Sequence, residues 1–119
     1  MHAERYEVPE TTAAALRDCR RRGGRIMAVG STTVRTLETM AAEHGGEAVA
    51  CAGRSRIFIH EPYRFLFTDM MLTNFHLPRS TLLMMVAALA GRERVLAAYR
   101  AAVAEHYRFF SYGDCMLIL

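Results

Sequence analysis

The stretch Ile26-Met27-Ala28-Val29-Gly30-Ser31-Thr32-Thr33-Val34-Arg35-Thr36-Leu37-Glu38 contains the strongest fold signal in the sequence. Residues 25–29 predict a short buried strand, which Gly30 ends. The hydroxyl residues that follow predict the cap and first turns of a helix that continues to about Glu43. Unpaired N–H groups at such a helix start attract anions, so this turn is a candidate anion-binding cradle. Ser and Thr also cap helices for structural reasons alone.

The segments around this stretch predict further helices and strands. An N-terminal helix is expected from Pro9 or Glu10 to Arg22, because Gly23 and Gly24 stop it. Residues 45–55 are small, polar and glycine-containing, which predicts a surface loop. Residues 56–60 and 64–68 predict two strands, and extended structure continues through residue 74.

The C-terminal part of the sequence predicts two helices and a final strand. Residues 82–90 are apolar at every position, which predicts a helix buried on every face. After Gly91, residues 92–106 predict an amphipathic helix whose apolar stripe contains Val95, Leu96, Tyr99 and Val103. An aromatic loop at residues 107–114 precedes a strand at residues 115–119. Together these elements predict an α/β fold, a small sheet covered by helices.

The composition limits the class of protein. The 119 residues are 52% hydrophobic and 23% charged, which is typical of one globular domain. The longest apolar run, residues 82–90, is much shorter than the roughly twenty residues of a membrane-spanning helix. The N-terminus lacks a secretory signal, so we expect a cytoplasmic protein without a membrane partner. All basic residues are arginine and the net charge is +3, which fits phosphate contact as well as arginine-rich codon usage.

Histidine, carboxylate and hydroxyl groups are the candidates for chemistry. The sequence contains no metal-ligand spacing, no G-x-S-x-G elbow and no glycine-rich nucleotide motif, so we expect no metal site. His76 stands beside Asn74 and ahead of Pro78, where a side chain is expected to face a cleft. The alternative is an ordinary loop histidine bonded to a carbonyl. The candidate carboxylates are Glu38, Asp69 and Asp114, the last of which follows Gly113 in a pattern also typical of a turn.

Three blocks of the sequence resemble the C-terminal portion of the S-adenosylmethionine:tRNA ribosyltransferase-isomerase family. They are GGRIMAVGSTTVRTLE at residues 23–38, TNFHLPRSTLLM at residues 73–84 with ALAGRE at residues 88–93, and YRFFSYGD at residues 107–114. Residues 1–9 resemble an internal stretch of the same family. Ser31, Tyr112 and Cys115 are mild departures from the family pattern, as are Met70-Met71 and the loop at residues 45–55.

The resemblance implies an enzyme of queuosine biosynthesis. Such an enzyme moves the ribosyl part of S-adenosylmethionine onto 7-aminomethyl-7-deazaguanine at the wobble position of tRNA. Epoxyqueuosine forms, and adenine and methionine leave. The implied partners are therefore tRNA and S-adenosylmethionine, which is consumed as a ribosyl-donating substrate, and no prosthetic group is implied.

The resemblance also implies roles for particular residues. His76 suits proton transfer, and Asp114 or Asp69 suits stabilisation of the cationic sulfonium. The S-adenosylmethionine-binding set, some of which also suits a tRNA phosphate, is Gly30, Ser31, Thr32, Thr33, Arg35, Asn74, Ser80 and Thr81. An unstacked anticodon base is expected to contact Arg108, Phe109 and Phe110, although these aromatic residues also suit a packed hydrophobic corner.

The resemblance covers about the last third of such an enzyme, without its N-terminal portion and inserted β-barrel domain. We therefore expect residues 1–119 to form one domain of a larger core, with little or no catalysis by this chain alone. An open sheet edge favours self-association. The alternatives are a non-catalytic RNA- or nucleotide-binding module and a purely structural subdomain.

Overall fold

The computed structural model describes residues 3–77 and 80–119. In these ranges the chain forms, in order, β1 (Glu4–Val8), α1 (Glu10–Arg21), β2 (Met27–Val29), α2 (Ser31–Glu43), β3 (Cys51–Ser55), β4 (Met70–Phe75), α3 (Thr81–Ala90), α4 (Arg92–Ala104) and β5 (Phe110–Ile118). The α/β class predicted from the sequence is confirmed. None of the helices in the described ranges is long and apolar enough to cross a membrane.

The strands form two small sheets. Strands β1 and β3 make an antiparallel pair, and the second sheet has the order β2-β4-β5. Within it β2 and β4 are parallel, whereas β4 and β5 are antiparallel. The core side of this sheet carries Ala28 and Met71, which are fully buried together with Val34 and Met40 of α2 and Val86 of α3. Strand β2 and helix α2, joined at Gly30, therefore follow each other in the strand-turn-helix order predicted for residues 25–43.

The four predicted helices are confirmed with nearly the expected bounds. Helix α1 follows Pro9 and ends just before Gly23, whose φ of +73° turns the chain away from the helical path. Helix α2 begins directly after Gly30, which has a φ of +92° and stands at the N-cap position without a side-chain cap. The predicted Ser31 cap is therefore wrong, because the helix starts at a left-handed glycine.

The two C-terminal helices are less buried than their sequences predict. In α3 only Met85 and Val86 are buried, and Met84 is 39% exposed, so the prediction of burial on every face is wrong. In α4 the buried residues are Val95, Tyr99 and Ala102. Leu96 and Val103 of the predicted stripe are exposed, because only one narrow face of the helix packs against the rest of the chain.

The first sheet replaces a predicted loop. Residues 51–55 form β3, which pairs with β1 from Glu4↔Ser55 to Val8↔Cys51. The pairing is a tertiary effect, since Val8 and Ser55 are buried and the Thr39 hydroxyl of α2 lies 2.6 Å from the Ser55 hydroxyl. Short polar sequences form strands when a neighbouring helix supplies such contacts, so local propensity alone is a weak guide.

A buried carboxylate explains why residues 64–68 are not a strand. Glu38 of α2 is fully buried, and its Oε1 accepts a hydrogen bond from the Leu66 N–H at 2.7 Å. Its Oε2 accepts from the N–H groups of Phe67 and Thr68 at 2.9 and 3.0 Å and from the Thr68 hydroxyl at 3.1 Å. These N–H groups bond to Glu38 instead of a neighbouring strand, so the strand prediction for residues 64–68 is wrong. The strand predicted at residues 56–60 is also absent.

Tyr63 completes the bonding around Glu38. Its hydroxyl donates to Oε1 at 3.3 Å. Burial, followed by the negative charge of Glu38, raises the pKa of Tyr63 to about 12, so the phenol keeps its proton and remains a donor.

The edge strands also differ from the sequence prediction. Strand β2 was expected to be buried, yet Met27 is 46% and Val29 is 60% exposed, because one face of the sheet has no covering layer in the described residues. Strand β5 begins at Phe110, before the predicted start at residue 115. Its register jumps from Phe75↔Phe110 to Asn74↔Cys115, so the intervening residues bulge out of the ladder.

Replacing Glu38 tests the importance of this carboxylate for the fold. In Glu38→Gln an NH₂ group faces backbone N–H donors, so a buried donor loses its acceptor, and we expect the free energy of unfolding to fall by about 3 kcal/mol. Urea denaturation of the chain measures this loss. Glu43→Gln on the same helix removes an exposed carboxylate that accepts from the Tyr6 hydroxyl, and should cost about 0.5 kcal/mol or less. Equal midpoints for the two variants would contradict this role of Glu38.

Candidate active-site cleft

A cleft of about 370 Å³ opens at the C-terminal ends of the parallel strands β2 and β4. Ligands in open α/β sheets bind at this edge, and the volume suits part of a small molecule. The cleft lies between the start of α2 and the residues that follow β4. Its lining is Val29, Gly30, Ser31, Thr32, Leu72, Thr73, Asn74, His76 and Cys115.

Gly30 shapes one wall of the cleft. Its N–H donates to the Leu72 carbonyl at 2.8 Å, which holds the end of β2 against β4. Its φ of +92° is strained for any residue with a Cβ and turns the chain directly into α2. Ser31 and Thr32 consequently stand at the cleft in the first turn of the helix, where N–H groups lack partners within the helix.

His76 stands on the opposite wall and is held at two points. Its ring Nε2 lies 3.0 Å from the Thr73 hydroxyl, and its backbone N–H donates to the Tyr99 hydroxyl at 2.7 Å. The imidazole is half-buried, and this burial lowers the pKa of His76 below its ordinary value. The ring is therefore neutral at physiological pH and able to accept a proton.

The sequence prediction missed the two residues that hold His76. Thr73 is buried at the end of β4 and lies three residues before the histidine. The T-x-x-H spacing is a signal for this contact, since Thr73 is the last inward-facing polar residue of the strand. Tyr99 comes from α4, and no local pattern indicates that its hydroxyl reaches His76.

The cleft brings together a part of the predicted site. The predicted residues in its lining are Gly30, Ser31, Thr32, Asn74 and His76. Pro78, which precedes the next helix in the sequence, lies outside the described residues. Cys115 was noted only as a departure from the family pattern, and it lines the cleft because it pairs with Asn74 in the ladder.

Thr33 and Arg35 lie away from the cleft. The Thr33 hydroxyl donates back to the Val29 carbonyl at 2.9 Å, so it closes the turn. Arg35 is 5% exposed and forms an ion pair with Glu4 of β1. Arg35 lies one helical turn after Ser31 and its side chain points toward the other sheet, so its predicted contact with S-adenosylmethionine stays a prediction.

Ser80 has a capping role at the start of α3. The Ser80 hydroxyl accepts a hydrogen bond from the Leu83 N–H at 3.1 Å, which is the pattern of a helix N-cap. Thr81 is the first residue of the helix. Ser80 lines a separate groove together with His60 and Arg92.

The candidate carboxylates bond to the chain's own groups. The Asp114 Oδ2 accepts from the Arg108 N–H at 2.6 Å, and this bond lowers the pKa of Asp114. The carboxylate thereby closes the bulge of β5, as the turn alternative predicted, and its catalytic role stays a prediction. Asp69 accepts from the Ile26 N–H at 2.8 Å and from Arg20 at 3.0 Å.

The aromatic residues before β5 form a packed corner in part. The Phe109 ring lies 5.4 Å from Phe75 and 5.8 Å from Tyr99, which is the hydrophobic-corner alternative. Phe110 is 44% exposed and meets Tyr112 edge to face at 6.3 Å. The predicted tRNA contact of Arg108, Phe109 and Phe110 stays a prediction.

Two further observations describe what the site contains. Among the described residues, no group of three or more His, Cys, Asp or Glu side chains is arranged to hold a metal ion. The chemically active groups of the cleft are the neutral imidazole of His76, the amide of Asn74, the thiol of Cys115 and small hydroxyls. This arrangement can bind an anionic group at the helix start and accept a proton on the opposite wall.

Comparisons with known proteins agree with the sequence resemblance. A family model described as queuosine biosynthesis protein matches residues 1–118. The S-adenosylmethionine:tRNA ribosyltransferase-isomerase of Pelotomaculum thermopropionicum is 60% identical over 119 residues, which are 100% of this chain and 35% of that protein. The Thermotoga maritima protein of the same name is 56% identical, again over 100% of this chain and 35% of its own length.

A solved structure also matches. The crystal structure of S-adenosylmethionine tRNA ribosyltransferase from Thermotoga maritima superposes with a TM-score of 0.91 at 56% identity, over 97% of this chain and 40% of that one. The chain thus spans about a third of the length of the curated relatives it matches.

The lowered pKa of His76 predicts a specific pH dependence of stability. Below its ordinary value of 6.5 the unfolded chain takes up a proton that the folded chain resists, so the free energy of unfolding falls as the pH drops through 6.5 toward the folded-state pKa. His76→Gln should lose this component. Urea denaturation between pH 7.5 and 5.5, roughly the range in which histidine titrates, measures the difference. Parallel pH profiles for the variant and the original chain would contradict the burial of His76.

Proposed function

The chain belongs to the queuosine biosynthesis protein family, and on that basis we propose that it forms the S-adenosylmethionine-binding wall of a tRNA ribosyltransferase-isomerase. The reaction transfers the ribosyl part of S-adenosylmethionine to 7-aminomethyl-7-deazaguanine in tRNA, with isomerisation to epoxyqueuosine and release of adenine and methionine. The proposal places the chain in the cytoplasm with its tRNA substrate. Its main support is the cleft that gathers Gly30, Ser31, Thr32, Asn74 and His76.

The start of α2 is the proposed site for the methionine carboxylate. Ser31 and Thr32 line the cleft in the first helical turn, and Gly30 leaves the backbone open to a ligand because no atom lies within 4 Å of a Cβ built there. A carboxylate in this place meets N–H donors and the positive end of the helix dipole. The Asn74 amide adds a further donor at the edge of the cleft.

His76 is the proposed general base. The reaction requires removal of a proton from the carbon next to the sulfonium, and a neutral imidazole is the cleft group best suited to accept it. When Nε2 carries the ring proton and donates to Thr73, Nδ1 holds the lone pair that takes the substrate proton. Thr73 orients the ring and Tyr99 holds the backbone of His76, so the position of the imidazole is set before substrate binds.

The remainder of the reaction requires groups from outside this chain. The cleft is open, and among the described residues that line it there is no carboxylate to face the sulfonium. The relatives are about three times as long as this chain. We therefore propose that the longer protein supplies the rest of the site, and that the chain alone has little or no turnover.

Substitution of His76 tests the assigned base in a full-length context. The chain replaces the matching segment of the Thermotoga maritima protein, to which it is 56% identical. In this chimaera His76→Ala should lower kcat by about 100-fold or more while KM for S-adenosylmethionine changes little, since a base acts on the chemical step. His60→Ala, at an exposed histidine outside the cleft, is the matched control and should leave kcat unchanged.

The outcomes separate the proposal from its alternatives. Unchanged kcat in His76→Ala would overturn the role of His76. Salt-sensitive tRNA binding without any binding of S-adenosylmethionine to the chimaera would instead favour the RNA-binding module.

A further inference from the structure

One face of the three-stranded sheet is apolar and exposed. The ladder places Val29, Leu72 and Leu117 side by side, because Val29 pairs with Leu72 and Leu72 with Leu117. Val29 is 60% and Leu117 is 54% exposed. Met27 and Met70 form the next row. We name this surface, formed by Met27, Val29, Met70, Leu72 and Leu117, the open face.

The opposite face of β2 and β4 is covered. Ala28 and Met71 alternate with the residues of the open face, and both are completely buried beneath the helices. Parallel strand pairs occur almost only with both faces covered. A row of aliphatic side chains from three neighbouring strands, exposed at Val29 and Leu117 and partly buried at Leu72, is accordingly typical of an interface, unlike a single exposed leucine.

The open face is continuous with the cleft. Val29 and Leu72 belong to both, and the next row along the sheet contains Asn74 and Cys115, which also line the cleft. A layer of protein that covers the open face consequently also forms a second wall over the helix start and His76. In this geometry, a segment that covers the open face also closes the cleft.

We propose that the open face is an internal interface of the longer protein, covered by aliphatic side chains from the part of the family's chain that lies outside the matched segment. The relatives have enough additional chain to form such a covering layer, since this chain accounts for 35% of their length. The continuity with the cleft also requires an occupant that leaves room for substrate. The proposal goes beyond the function proposed above and depends on family membership, not on the role of His76.

Cysteine accessibility tests this proposal with matched positions. Val29→Cys lies on the open face, and Val103→Cys lies on α4 away from it; the two valines are 60% and 62% exposed. Each variant is made in the isolated chain and in the Thermotoga maritima chimaera, and maleimide modification is followed by mass spectrometry. The tryptic peptides that contain residues 29 and 103 contain none of the native cysteines.

The proposal predicts protection from maleimide at the open face and not at residue 103. Modification of Val29→Cys should be at least about 10-fold slower in the chimaera than in the isolated chain, because it then requires local opening. Modification of Val103→Cys should proceed at similar rates in both. Met27→Cys repeats the test at a residue of the open face that does not line the cleft.

Two results would overturn the proposal. Equal rates for Val29→Cys and Met27→Cys in the chain and in the chimaera would show that the rest of the protein leaves the open face bare. Protection already in the isolated chain, together with a dimer in sedimentation, would identify a second copy as the occupant. The labelling needs neither S-adenosylmethionine nor turnover, so a failure of the proposed function leaves this test interpretable.

Discussion

The buried carboxylate of Glu38 is the interaction on which the arrangement of this chain depends. It receives N–H donors from Leu66, Phe67 and Thr68 and thereby holds this irregular segment against α2. The next residue, Asp69, accepts from the Ile26 N–H, and the N–H groups of Asp69 and Met70 donate to the Ile26 carbonyl. The start of β4 is thus fixed beside the start of β2. The parallel register then brings Gly30 and the end of β4 together as the two walls of the cleft.

The sequence predicted the elements whose signals are local. Helices α1, α2 and α4 have proline or glycine at their ends and a regular apolar spacing, and these features act within a few residues. Strands β1 and β3 were missed because each is stabilised by the other and by α2. The strand prediction at residues 64–68 failed because the backbone donors of residues 66–68 have a side-chain acceptor, which no propensity scale includes.

The residues of the candidate site likewise include some that could be predicted from the sequence and some that could not. Gly30, Ser31 and Thr32 could be predicted from the helix start that they form. Asn74 and His76 could be predicted from their place ahead of Pro78 and from the family resemblance. The placement of Arg35 could not, since its partner Glu4 is visible only once the chain is folded. For Asp114 the sequence offered the turn alternative, and the structure identifies Arg108 as its partner. The open face could not be predicted for a similar reason. Successive residues of β2 and of the end of β5 are apolar on both faces of the sheet, and only the structure distinguishes the covered face from the bare one.

The central claim is that the ends of β2 and β4 bind S-adenosylmethionine, and hydrogen exchange measures this most directly. Exchange of the Thermotoga maritima chimaera is followed by mass spectrometry with and without S-adenosylmethionine. The account predicts slower exchange in peptides that contain residues 30–34 and 73–77, because the ligand bonds to N–H groups of the first turn of α2 and covers His76. Protection confined to the groove of His60, Ser80 and Arg92, with residues 30–34 unchanged, would contradict it.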